Sequence, residues 1–221
     1  ILPGPWAVAN ALVNDWHTLF PALLVTAKIT VVSLLLALVG GVAIAVFLVQ
    51  SRWVELAFYP IAVILQVTPI VAISPLILIY APTTQVALLI CAFLVAFFPI
   101  LSNTALGLSS VDHNLLDLFQ MYRASRGRQL LWLRVPSALP YFLGGLRIGG
   151  GLALIGAIVA EFFGTPTVGM GFRISTEVGH LSIDMVWATI VVAAVTGSLF
   201  YAIVSRIERR ATFWHASYRA K

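Results

Sequence analysis

ALLVTAKITVVSLLLALVGGVAIAVFLV, residues 22–49, carries one charge, Lys28, among apolar, small and hydroxyl side chains. A helix rises about 1.5 Å per residue and the hydrocarbon core of a bilayer is about 30 Å thick, so this stretch is long enough to cross it. Comparable apolar runs fall at 56–80, 84–108, 141–163 and 185–205. The composition agrees, with 61% apolar residues, 10% charged residues and a mean hydropathy of +1.02. The runs are interrupted by Gly, Pro and short charged clusters rather than built of alternating ten-residue strands, and a helix satisfies its own backbone in lipid. The sequence therefore predicts an all-α integral membrane protein with five transmembrane helices in a single domain, residues 1–221.

Orientation follows from the basic residues, which are retained on the cytoplasmic side of span ends. With the loop after Leu108 inside, Arg52, Arg123, Arg126, Arg128, Arg134, Arg147, Arg206, Arg209, Arg210, Arg219 and Lys221 fall on or near the cytoplasmic face, against Lys28 and Arg173 outside. The C-terminus is then cytoplasmic and Ile1 lies outside, which leads us to expect a sixth span ahead of residue 1. This asymmetry accounts for the net charge of +5 and the pI near 9.8, and nothing else points to nucleic acid. Cys91 stands alone inside a span, so an intrachain disulfide and a cysteine metal cluster are excluded.

Between the third and fourth apolar runs lies a charged, helix-prone loop, residues 109–140. Asp112 is placed to cap a helix on which Leu115, Leu118, Phe119 and Tyr122 share a face, with Asp117, Gln120 and Arg123 on the rest. Gly127 interrupts, Arg128 to Val135 forms a second short helix, and Pro136 and Pro140 are expected to end it. Two partners suit such a loop. One is an anionic lipid surface, favoured by Arg123, Arg126, Arg128 and Arg134. The other is the groove of a cytoplasmic protein that takes the apolar face and charged rim.

Inside the apolar runs, Gln66, Thr68, Pro69, Ser74 and Pro75 mark the second span and Asn103 and Thr104 the third. They read either as pathway lining or as hydrogen-bonding glue between helices. Gly144, Gly145, Gly149, Gly150 and Gly151 open the fourth span as a small-residue ridge for close helix packing. This is no phosphate loop, since the chain's lysines are Lys28 and Lys221 and none follows these glycines. Glu161, at the outer boundary of that span, has a gating or packing role, with a proton relay as the alternative. Arg173, Glu177, His180 and Asp184 would share one face of a continuous helix. They read as charge pairs or as a contact for an incoming protein in preference to a metal site.

From Leu2 to Arg210 the chain resembles the permease subunit of ABC importers of the nitrate, sulfonate and taurine type, a group that includes importers of pyrimidine precursors. Asp117-Leu118-Phe119 stands at the E-A-A positions of that family's cytoplasmic EAA loop, Arg123 at its Gly, and Ala124-Ser125-Arg126 follows in register to Pro136-Ser137-Ala138-Leu139-Pro140-Tyr141. Gly145-Leu146-Arg147-Ile148, Gly156-Ala157-Ile158-Val159-Ala160-Glu161-Phe162 and Phe98-Pro99-Ile100-Leu101-Ser102-Asn103-Thr104 match the flanking spans. The Glu is shortened to Asp and the Gly is replaced by Arg. The resemblance implies a bacterial inner-membrane assembly of two permease copies, two ATP-binding subunits that hold ATP and Mg, and an extracytoplasmic solute-binding protein. Asp117, Leu118, Phe119, Arg123, Ala124, Ser125 and Arg126 would then couple to the ATPase through a coupling-helix hairpin. Gln66, Thr68, Asn103 and Glu161 would belong to the translocation pathway.

The competing class is an ion-gradient-driven secondary carrier or channel with Lys28 and Glu161 as working charges. A two-helix cytoplasmic hairpin and the lack of an internal repeat speak against it. An intramembrane enzyme finds no support, since HExxH, paired intramembrane aspartates and a nucleophile context for serine are all missing.

Overall fold

The computed structural model describes residues 3–50, 53, 57, 60, 63, 64, 66–164 and 167–214. Every regular element among them is helical. Helix α1, Pro5–Asn14, starts on the proline, whose missing N–H costs nothing at a first helical position. α2, Trp16–Val49, runs through Pro21. α3 is Ile70–Tyr80 and α4 is Thr84–Ser109. Two short elements follow, α5 at His113–Met121 and α6 at Arg126–Gln129. A π-helical segment, Leu130–Arg134, leads from α6 directly into α7, Val135–Gly164. α8, Met170–Gly179, and α9, Ile183–Ala211, complete the order.

Among the described residues, four helices are long and apolar enough to cross a membrane: Trp16–Val49, Thr84–Ser109, Arg126–Gly164 and Ile183–Ala211. They contain four of the five expected spans and extend past each. The stretch expected as the fifth, residues 56–80, holds the shorter apolar helix α3, which with 11 residues is not among the four, and it begins among residues outside the description. Arg52, Arg219 and Lys221 of the orientation argument also lie outside the described residues.

Two expectations are corrected. Pro136 and Pro140 do not end the helix begun at Arg126, which continues to Gly164. A proline offers no N–H to the carbonyl four residues back and its ring crowds that turn. Here the wider π turn at Leu130–Arg134 shifts the hydrogen-bond register just ahead of them, and the Ser137 hydroxyl donates to the Leu133 carbonyl at 2.9 Å. The second correction concerns residues 173–184, which do not form one helix. α8 stops with His180 as its C-cap and Leu181 left-handed at φ 61°. The N–H groups of Leu181 and Ser182 turn back to the carbonyls of Val178 and Glu177, closing the helix end. Arg173 and Glu177 do form an i,i+4 ion pair at 3.0 Å, but Asp184 belongs to α9.

The chain forms two compact units. The first gathers Ile1–Leu36, Thr68–Ala96 and Gly150–Tyr201. One of its cores joins Ala11, Leu19 and Ala22 to Met170, Met185, Ala188 and Val192; another joins Ile29 to Leu88, Cys91, Ala92, Ala157 and Ala160. Alanine recurs in both cores, as suits helices that associate in lipid by close packing rather than by expelling water. Gly156 sits on Ala92 so tightly that a Cβ there would lie 3.1 Å from the Ala92 Cα.

The second unit gathers Ala37–Val67, Phe97–Gly149 and Ala202–Lys221. α4 and α7 meet at two glycines, one from each. A Cβ on Gly107 would fall 2.8 Å from the Ala138 Cα, and one on Gly145 would fall 2.8 Å from the Asn103 Cβ. Arg147 of α7 and Glu208 of α9 form an ion pair at 3.0 Å. The Arg134 guanidinium donates to the Leu108 carbonyl at 3.3 Å, serving a carbonyl in the last turn of α4 that has no partner within the helix.

Candidate functional site

Two sites stand out, one in each unit. In the second unit the segment between α4 and α7 displays a short helix with no buried residue. Asp112 caps α5 by accepting the Asn114 N–H at 2.9 Å. At the other end the N–H of Arg123 bonds the Gln120 carbonyl and that of Ala124 the Phe119 carbonyl, at 2.8 and 2.9 Å. This double closure places Arg123 in the left-handed region, at φ 50°. A residue with a Cβ pays about 1 kcal/mol there, which is the physical reason for a glycine at this point of the loop.

The second helix starts at once. Ser125 caps α6 by accepting the Arg128 N–H, and the Gln129 amide returns to the Ala124 carbonyl at 3.1 Å. The turn between α5 and α6 is thus fixed by backbone bonds on the α5 side and by the Ser125 and Gln129 side chains on the α6 side. α5 itself presents apolar groups to solvent. Leu115 and Leu118 are each 45% exposed, Met121 82% and Tyr122 81%, while Phe119 is half-buried. Asp117, Arg123, Ser125 and Arg126 are exposed around them and Ala124 is half-buried. Met121, three residues beyond Leu118, joins this exposed apolar group although the sequence reading did not single it out. Leu131 and Trp132, 65% and 76% exposed, add further apolar surface beyond the turn.

In the first unit, Glu161 of α7 is fully buried. Its carboxylate accepts from the Thr26 hydroxyl at 2.8–2.9 Å and from the Gly171 N–H at 2.9 Å. The Met170 N–H donates to the same Thr26 oxygen at 2.9 Å. A carboxylate from one helix and a hydroxyl from another therefore satisfy the first two N–H groups of α8, which no residue of its own sequence caps. The approach depends on glycine. Gly169 holds φ 157° with ψ 160°, a conformation essentially confined to glycine, and a Cβ there would lie 2.6 Å from the Glu161 Cδ. A Cβ on Gly171 would overlap the Ile158 carbonyl oxygen. Thr26 heads a face with Thr30 and Ser33, all buried, at spacings of four and three in α2. That spacing was the one sequence signal for Thr26.

Of the remaining pathway candidates, Gln66 and Asn103 lie in the second unit and Thr68 in the first. Gln66 is exposed and lines a narrow cavity of about 30 Å³ with Leu48, Phe98 and Ser102. Asn103 donates to the Pro99 carbonyl at 2.8 Å and packs beneath Gly145. Thr68 is half-buried, just ahead of the Pro69 cap of α3. No group of three or more metal-ligating side chains occurs among the described residues.

Residues 37–213, which contain both the display helix and the Glu161 node, match the family described as the binding-protein-dependent transport system inner membrane component. The chain belongs to this family. It is a multi-pass inner-membrane permease subunit that works with an ATPase on a separate subunit and with a solute-binding protein. The formylaminopyrimidine transport permease protein ThiX of Halalkalibacterium halodurans is 31% identical over 97% of this permease and 86% of its own length. The riboflavin transport system permease protein RibX of Chloroflexus aurantiacus is 31% identical over 75% of this permease, a match that spans 62% of RibX. Among solved structures, a chain of the MetNI methionine ABC transporter in inward facing conformations shares the fold. It has a TM-score of 0.74 at 17% identity, over 90% of this permease and 98% of that chain.

Replacing Arg123 by glycine is expected to stabilise the end of α5 by about 1 kcal/mol, measured as slower hydrogen exchange at Ala124, whose N–H closes on the Phe119 carbonyl. At the buried node, Glu161→Gln keeps a carbonyl for Gly171. Its amide donates to Thr26, whose own proton then goes to the Ala22 carbonyl, 3.1 Å away. The glutamine variant is therefore expected to unfold near the native temperature in detergent. Glu161→Ala, which strands buried donors, loses about 1–3 kcal/mol.

Proposed function

We propose that this permease forms the translocation pathway of an ATP-driven importer together with a second permease copy, coupled to two ATP-binding subunits that carry ATP and Mg. The segment 109–140 and the C-terminus are cytoplasmic in this reading, and residues 56–80 supply the fifth span. The whole of 1–221 acts as one transmembrane domain. The observation that carries the proposal is α5, an ordered helix with capped ends and no buried residue in a chain otherwise made for lipid. A helix whose Leu115, Leu118 and Met121 stay exposed in its own chain gains contacts for them from a partner.

Asp117, Leu118, Phe119, Arg123, Ala124, Ser125 and Arg126 form the coupling surface. Leu118, Phe119 and Met121 enter a groove of the ATP-binding subunit, and the arginines form a polar rim. Closure of the ATPase around nucleotide pushes on α5. The motion reaches the spans through the continuous helix from Arg126 to Gly164, and through the Arg134 bond to the end of α4. Gln66, Thr68 and Asn103 line the pathway. Glu161 serves the pathway by holding residues 169–171 against α7. The solute is a small molecule of the nitrate, sulfonate and taurine or pyrimidine-precursor class, handed over by the binding protein.

Leu118→Asp or Phe119→Asp is expected to leave the permease inserted in the membrane while recovery of the ATP-binding subunit on copurification falls more than about tenfold, as for loss of an interface hot spot. Unchanged recovery overturns the docking role. Cysteines at positions 66, 68 and 103 are expected to react with a small aqueous thiol reagent in at least one nucleotide state. Protection in every state removes them from the pathway.

A further inference from the structure

In the second unit a cleft of about 260 Å³ lies between the last turn of α2 and the start of the helix that begins at Arg126. Arg126 and Arg134 supply its charge, Gln50 and Gln129 further polar groups, and Val49 and Leu130 part of its apolar wall. Among the described residues, neither arginine has a carboxylate within ion-pair distance. Arg134 is half-buried and held in place by its bond to the Leu108 carbonyl. Two guanidinium groups thus share one cleft with no acid of the chain to balance them. Planar guanidinium donors match the oxygens of a phosphate group. Small-molecule sites typically measure about 300–1,000 Å³, so the cleft suits one phosphate-sized group better than a whole solute.

The depth of the cleft says where that phosphate comes from. The apolar run 22–49 ends at Val49 and is followed in sequence by Gln50-Ser51-Arg52, so the cleft sits where a membrane-crossing helix passes from hydrocarbon to the headgroup layer. Its apolar wall faces acyl chains at the level where its arginines meet phosphates. A soluble anion would have no use for Val49 and Leu130. Basic pockets at the cytoplasmic ends of membrane helices take phospholipid headgroups. We infer that this cleft binds an anionic phospholipid, with the headgroup phosphate on Arg126 and Arg134 and the first part of an acyl chain along Val49 and Leu130. The phosphate supplies the negative charge that the described chain does not place there, and it ties the start of α6 to the end of α2. On the proposed topology the lipid belongs to the cytoplasmic leaflet. The inference needs the permease's place in the membrane and not the coupling role of α5.

Gly127 offers a way to close the cleft without touching either arginine. It lines the cavity, and a Cβ there meets open space. The complex with the ATP-binding subunits, in detergent, is titrated with dioleoylphosphatidylglycerol or with zwitterionic dioleoylphosphatidylcholine, and native mass spectrometry counts the lipid retained per permease copy. One phosphatidylglycerol is expected to be held about tenfold more tightly than phosphatidylcholine. Gly127→Phe should remove that lipid. Arg134→Gln should bring the two lipids near parity, and Arg134→Lys should keep the preference. Equal retention of the two lipids by the unaltered complex overturns the site. So does a phosphatidylglycerol preference that survives Gly127→Phe. Inorganic phosphate that binds at millimolar concentration in place of the lipid, and is lost in Gly127→Phe, assigns the cleft to a soluble anion and overturns the lipid site as well.

Discussion

Helices that lie in hydrocarbon are not driven together by water, so their association rests on how closely backbones approach. Among the described residues, several of the tightest helix contacts have a glycine on one side. Gly107 and Gly145 seat α4 and α7 against each other, Gly156 seats α7 on Ala92, and alanines fill both cores of the first unit. Dispersion over many short contacts replaces the hydrophobic term that dominates soluble folds. The same choice leaves many large apolar side chains, such as Leu35, Val39 and Leu199, turned outward, where lipid is their proper surroundings.

Against this background the buried carboxylate is the exception that fixes a position. Dispersion is tolerant of small shifts, whereas hydrogen bonds from Thr26 and Gly171 to Glu161 hold to a few tenths of an ångström. The start of α8 is thereby tied to α2 and α7 at one point. The other polar ties, Arg147 to Glu208 and Arg134 to Leu108, have the same character in the second unit. Each lets a polar group inside an apolar fold define register where packing alone would permit sliding.

The spans were legible because length and hydropathy are properties of the chain itself, and the membrane imposes one thickness on all of them. The Asp112 cap was legible for a similar reason, since its partner Asn114 is two residues away. What escaped the sequence depends on distant pairs or on geometry. Glu161 was singled out, yet its partner Thr26 lies 135 residues away and belongs to no motif. Pro136 and Pro140 read as terminators because the π segment that absorbs them has no composition of its own. The four charges from Arg173 to Asp184 had helical spacing but not a helix, since a left-handed Leu181 carries no warning in its side chain. Arg123 shows the reverse case. The resemblance placed it where the EAA loop carries a glycine, and the backbone angle of φ 50° gives that substitution a physical cost.

The wide turn at Leu130–Arg134 carries one more implication. Successive residues of an α-helix are set about 100° apart around the axis, so a turn that holds an extra residue works as a phase adjuster. Residues on its two sides do not belong to one continuous stripe. Adding or removing a single residue within it would swing the upstream segment around the axis of the span rather than lengthen or shorten the connection. The bearing of the solvent-facing helix relative to the membrane segment is therefore encoded in a residue count, and a change there acts as a twist.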